Sequence, residues 1–244
     1  MKNIVPLFSF ALLLIVSIIT QAFREPESEN QLTLRGAWQM QDATDDHVVV
    51  FTDDYFSYAN YNKATKQFLT TFGGTYKMEN GQITTQFEFH TGNKEQVGQS
   101  LSYPFTLLND ALTITVDGEN TTWKKLDNGK APLAGNWRIT GRMEDGKVQA
   151  IHQTGGRKTV KILSGTRFQW AAINTDTKEF FGTGGGTYTF QNGKYTEKIE
   201  FFSRDSSRVG ASLTFNGKIE SDGWHHSGLS SKGDKIYEVW NKAK

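Results

Sequence analysis

Residues 73–89 read GGTYKMENGQITTQFEF and residues 185–201 read GGTYTFQNGKYTEKIEF, so the chain states one pattern twice, 112 residues apart. The likeness spreads outward from there. Phe56–Gly81 aligns without a gap on Phe168–Gly193, with 13 of 26 positions identical. Val97-Gly98-Gln99-Ser100-Leu101 answers Val209-Gly210-Ala211-Ser212-Leu213. Each unit opens on Gly-x-Trp, at Gly36-Ala37-Trp38 and Gly135-Asn136-Trp137, and closes on Trp123-Lys124-Lys125 or Trp240-Asn241-Lys242. The opening pair is 99 residues apart and the closing Trp pair 117, so the second copy carries about 13 extra residues early and about five late. Two long units are a tandem duplication of one domain, too few for a stacked array.

Within a unit the period is two. Ile83, Thr85, Phe87 and Phe89 share one face, and Thr84, Gln86, Glu88 and His90 the other, as in a half-buried strand. Asn80-Gly81 and Asn192-Gly193 sit between such runs and predict two-residue hairpin turns, since both residues tolerate positive φ. Turn residues recur every 10–12 residues or so, which predicts about eight strands per unit. No helical periodicity competes. The fold class expected is all-β: two tandem antiparallel up-and-down barrels, whose closure removes exposed strand edges. The glycines at 73–74 and 184–186 fall inside a long strand and predict bulges that let the sheet bend shut.

Composition narrows the function classes. Lys plus Arg total 27 and Asp plus Glu 26 in 244 residues, a balance with no electrostatic footprint for nucleic acid. There is no Cys, which excludes a disulfide scaffold, a thiol nucleophile and a Cys-rich metal site. Residues 1–22 combine Lys2, an apolar run over 4–20 and Thr20-Gln21-Ala22. They read as an export signal cleaved near Ala22, giving a secreted or periplasmic protein. The alternative is a membrane anchor formed by residues 4–20. Residues 23–31 read as a disordered leader, 32–127 as barrel 1 and 132–244 as barrel 2, joined by a linker short enough that the barrels should touch.

A Gly-x-Trp at the start of an eight-stranded meander, present twice, resembles the lipocalin-like (calycin) families. The pattern GTY…NG…YTEKIEF is similar to lipocalin-like domains of bacterial exported proteins that bring no assigned activity. The resemblance implies a barrel plugged at one end by the Trp and open at the other to an apolar ligand. It also implies a basic residue on the last strand against that Trp. Lipocalins use Arg there; this chain offers Lys124, Lys125 and Lys242.

The two copies differ where function is expected. The inward row of the strand after the Asn-Gly turn reads Ile83, Thr85, Phe87, Phe89 in the first copy and Tyr195, Glu197, Ile199, Phe201 in the second. A carboxylate in a core row needs a partner, water or a ligand. Aligning Trp224–Leu229 on Ala111–Val116 puts His225 and Ser227 inside, in place of Leu112 and Ile114. A slip of one puts Trp224 and His226 inside instead. Trp170 replaces Tyr58 and could wall the same cavity. The first barrel is expected to be filled by its own side chains. The second is expected to hold a small, partly polar ligand on Glu197, His225, His226, Ser227, Tyr195 and Trp170. Competing readings are a solvated Glu197 and an exposed His pair on a surface module for protein interaction, or an acid–base enzyme using Glu197 and a His. A metal site from His152, His225, His226 and Glu197 is weaker, because adjacent His side chains on a strand point opposite ways. No catalytic residue, cofactor or metal is assigned.

Overall fold

A computed structural model describes residues 33–40 and 44–243; the expected export signal or anchor and most of the leader lie outside the described residues. Alternating runs between turn residues form eight strands in the first unit: β1 (Gly36–Met40), β2 (Asp46–Phe51), β3 (Tyr55–Asn62), β4 (Gln67–Glu79), β5 (Gln82–His90), β6 (Ser100–Leu108), β7 (Ala111–Val116) and β8 (Glu119–Asp127). Each pairs with its neighbour in sequence, and β1 pairs with β8, which closes an antiparallel barrel. The second unit contains β9 (Gly135–Glu144), β10 (Lys147–Ala150), β11 (Arg157–Leu163), β12 (Arg167–Asn174), β13 (Glu179–Gln191), β14 (Lys194–Phe202), β15 (Ser212–Glu220), β16 (Gly223–Leu229) and β17 (Lys235–Lys242). Here β9 and β11–β17 close a second eight-stranded antiparallel barrel through the β9–β17 pairing, and β10 is an additional strand on β9. The all-β tandem-barrel fold class is therefore observed.

The local signals act as expected. Asn80 and Gly81 have φ of 50° and 72°, and Asn192 and Gly193 have 51° and 70°, the left-handed pair that a two-residue hairpin requires. The ladder slips between Gly73 and Gly74 in β4 and between Gly185 and Gly186 in β13, so both long strands bulge where they bend. A Cβ on Gly74 would lie 1.9 Å from the Gln86 carbonyl oxygen, which is why no side chain fits there.

The Gly-x-Trp residues are structural anchors. The indoles of Trp38 and Trp137 donate to the carbonyls of Leu34 (2.7 Å) and Leu133 (2.8 Å). Lys125 stands 5.0 Å over the Trp38 ring and Lys242 5.3 Å over Trp137, so lysines from the last strands take the place that arginine holds in lipocalins.

Some strands are buried on both faces, because the barrels pack against each other. Val160, Ile162, Ala171 and Ile173 from the outer face of β11 and β12 meet Ala37, Val50, Tyr55 and Phe89. Polar bonds fix the joint: Tyr61 donates to Glu200 (2.8 Å), Gln169 to Thr71 (2.7 Å) and Lys158 to Glu88 (2.7 Å). The carboxylate of Asp127, at the end of β8, accepts from the backbone of Gly165 and Thr166 and from the Ser164 hydroxyl.

One expectation fails. The first barrel is not filled by its side chains: it holds a cavity of about 700 Å³. Its inward Phe56, Phe72 and Phe87 rings pack edge to face against one another. They line the wall instead of meeting across the axis.

Candidate functional site

The ladders fix which residues of the two barrels are equivalent. Val49 pairs with Trp38, and Lys161 with Trp137. Thr85 pairs with Tyr76, and Glu197 with Tyr188. Ile114 pairs with Thr121, and His226 with Glu238. Four interior places that hold Val49, Thr85, Ile114 and Thr121 in the first barrel thus hold Lys161, Glu197, His226 and Glu238 in the second. One scaffold carries a neutral interior and a charged one.

Lys161 and Glu197 are 4% and 5% exposed, and the ammonium lies 2.9 Å from Glu197 Oε1. The Tyr195 hydroxyl donates to the same oxygen at 2.8 Å. Burial, then the Glu197 charge, pushes the Tyr195 hydroxyl well above its ordinary value, so it remains a donor. The Lys161 ammonium also sits 5.0–5.9 Å from the rings of Phe168, Tyr195, Trp224 and Trp240, an aromatic cage that stabilises a desolvated cation. This is the partner that a buried Glu197 requires.

A second polar pair lies beside it. His226, 2% exposed, has Nδ1 3.2 Å from Glu238 Oε2, and the Trp240 indole donates to that oxygen at 3.0 Å. Burial alone would raise the Glu238 carboxyl. The hydrogen bond from His226 and the Lys161 charge outweigh it and hold the group below its ordinary value. Burial lowers His226, against the opposing pull of Glu238. An ionised carboxylate only accepts, so the neutral imidazole places its proton on Nδ1. Nε2 then carries a lone pair, and it has no protein hydrogen-bond partner.

These groups border a cavity of about 560 Å³, which Lys161, Glu197, His226 and Glu238 share with apolar residues including Trp170, Phe202 and Leu213. Ser230 and Ser231, from the longer β16–β17 connection, also line it. The first barrel's cavity is apolar by comparison, bordered by Phe51, Phe56, Phe72 and Trp123.

The structure thus gathers four of the six expected residues: Glu197, His226, Tyr195 and Trp170. His225 and Ser227 are not among them. The Asn109-Asp110 and Ser221-Asp222 turns are equal in length, so Trp224 takes the place of Leu112 and strand alternation turns His225 and Ser227 outward. His225 instead meets the Tyr237 hydroxyl (2.8 Å) and Asp222 (2.9 Å) on the outer face. His152 borders a separate cleft, so the four weakly proposed metal ligands do not converge. Sequence reasoning missed Lys161 and Glu238. Both were visible as departures from Val49, at the 112-residue offset, and from Thr121, at the 117-residue offset of the closing Trp pair.

No family model matches this chain, and no curated protein is similar to it.

Proposed function

We propose that this chain is an exported lipocalin-like binding protein whose second barrel holds a small, partly polar ligand. The proposal includes the likeness to exported bacterial lipocalin-like domains. The carrying observation is the four-place exchange of Val49, Thr85, Ile114 and Thr121 for Lys161, Glu197, His226 and Glu238 around a cavity of about 560 Å³. A barrel of this type folds without those charges, as the first copy demonstrates, and burying charge is costly unless it is compensated. Stability therefore does not explain them. An apolar wall with a few convergent polar groups is the usual form of a small-molecule site.

The ligand's apolar part packs against Trp170, Phe202 and Leu213. Its polar end lies against the Lys161–Glu197 and His226–Glu238 pairs that border the cavity. Lys161, Glu197 and Glu238 already hold partners, so they set the field and hold the imidazole in one tautomer. Ser227, the hydroxyl that a nucleophilic set with His226 and Glu197 would use, faces outward, which favours recognition over turnover.

A second reading, an apolar ligand in the first barrel, is favoured by the cavity of about 700 Å³ there. Native mass spectrometry of the protein purified from its own cells tests both. We expect a bound small molecule that His226→Ile removes. A ligand retained by His226→Ile and lost on filling the first barrel with Thr85→Phe supports the second reading. Unliganded protein alone counts against binding.

A further inference from the structure

The early insertion in the second copy plays no part in the ligand site described above. Barrel closure does not require it, because the first barrel closes with a short β1–β2 connection. The inserted residues form β10 and the strap that follows it. Ile151 donates its N–H to the Thr140 carbonyl at 2.8 Å, and the Gln153 side chain donates to the Ile139 carbonyl at 3.0 Å. The strap is thereby tied down beside β9, and a cleft of about 400 Å³ lies among the strap, β9 and β11.

The cleft's lining is electrostatically one-sided. Arg138, Arg142, Arg157 and Lys158 border it, and among the described residues no carboxylate does. Three of the chain's eight arginines meet here, in a protein of net charge +1. Lys158 is neutralised by Glu88 at 2.7 Å. The exposed Arg142 lies 3.6 Å from Glu144, a separation and exposure that neutralise little. Arg157 lies 4.5 Å over the face of Phe181, which fixes its guanidinium plane and leaves the in-plane N–H groups for a ligand. Arg138 donates through one terminal nitrogen to the Gln153 carbonyl at 3.1 Å, while its buried Nε has no protein acceptor.

The first copy supplies the comparison. At the places of Arg138, Arg157 and Lys158 it has Gln39, Asp45 and Asp46. The scaffold therefore does not demand cations at this corner; the second copy has reversed the charge there and added a wall.

We propose that this cleft is an oxyanion site, in which Arg138 and Arg157 bind the carboxylate or phosphate group of a small molecule whose apolar part lies on Phe181. Guanidinium forks match such groups in geometry as well as charge. The site stands apart from His226 and does not depend on the barrel ligand. Ile139, Arg142 and Thr159 border both the cleft and the barrel cavity.

The test uses the full chain labelled with ¹⁵N and follows the arginine Nε–H resonances. Inorganic phosphate and acetate are titrated in turn, with sodium chloride at matched ionic strength as the screening control. A saturable shift of the Arg138 and Arg157 signals with phosphate or acetate, absent with chloride, is the expected result. Which anion binds more tightly distinguishes a phosphoryl from a carboxyl ligand. Arg157→Asp, which installs the first copy's residue at an exposed position, should weaken binding about tenfold or more. Arg138→Gln should do the same, read at Arg157. Shifts that do not saturate, that chloride reproduces, or that Arg157→Asp leaves unchanged would overturn the assignment.

Discussion

The buried ion pair of the second barrel makes a quantitative prediction. Lys161→Met removes the cation and leaves the Glu197 carboxylate, 5% exposed, with the Tyr195 hydroxyl as its remaining partner of the two. Removing one member of a buried pair costs about 3–5 kcal/mol, and we expect about 4 kcal/mol here. Glu197→Gln is milder. The amide oxygen still accepts from Lys161, and the four surrounding rings hold the ammonium with cation–π attraction of about 0.5–2 kcal/mol; a cost of about 2–3 kcal/mol follows. The double variant removes both members of the pair at nearly the same volume but also takes from Glu238 the Lys161 charge that helps hold it below its ordinary value, so it should cost about 2–3 kcal/mol, well short of the sum of the single variants. The coupling between the two sites is then at least about 3 kcal/mol. Urea denaturation followed by tryptophan fluorescence and circular dichroism measures all four proteins, with an unchanged m value as the check that the transition is comparable. The opposite result is single variants that each cost less than about 1 kcal/mol and add in the double. They would mean that the two groups are solvated and do not form a buried pair.

Other perturbations follow from the same structure. Gly74→Ala should cost about 3 kcal/mol or more, because the new Cβ would meet the Gln86 carbonyl oxygen at 1.9 Å; urea denaturation reads it. His226 is lowered by burial from its ordinary 6.5, so between that value and its folded value the unfolded chain binds the extra proton. Stability should fall as pH drops below about 6.5, and the fall should be shallower in His226→Ile, measured by denaturation at pH 7.5 and 5.5. Burial would raise Asp127, but hydrogen bonds from Thr166, Gly165, Ser164 and Gly129 hold it below 3.8. Its contribution is therefore full above about pH 4 and lost as pH falls through the lower folded value. Asp127→Ala should cost about 2–3 kcal/mol at pH 7 by orphaning these donors, and thermal unfolding at pH 7 and pH 3 checks both statements.

Much of this architecture was legible in the sequence because its signals are local. Asn-Gly turns, paired glycines in long strands and a repeated Gly-x-Trp each describe a few residues whose conformations have little freedom. The inward position of Glu197 was legible for the same reason: period two propagates reliably along one strand from the Asn192-Gly193 turn. The choice between His225 and His226 was harder. It depended on whether residues were inserted before or after β16, and the extra length lies after it, at residues 230–234. Lys161 was concealed by its setting, a cation flanked by Val160 and Ile162 in a strand buried on both faces. Such a strand loses the alternation that marks an inward position, and its outer burial comes from the other barrel, which no local pattern reports. The filling of the first barrel was misjudged because residue volumes do not say whether aromatic rings meet across an axis or pack along a wall.

One scaffold was copied, and we propose that only the second interior was converted to hold a polar ligand. The conversion can be reversed: Lys161→Val, Glu197→Thr, His226→Ile and Glu238→Thr together give the second barrel the first barrel's interior. We expect a folded protein, with near-native circular dichroism and a cooperative melt, that carries no small molecule in native mass spectrometry. A folded variant that keeps the same ligand would contradict it.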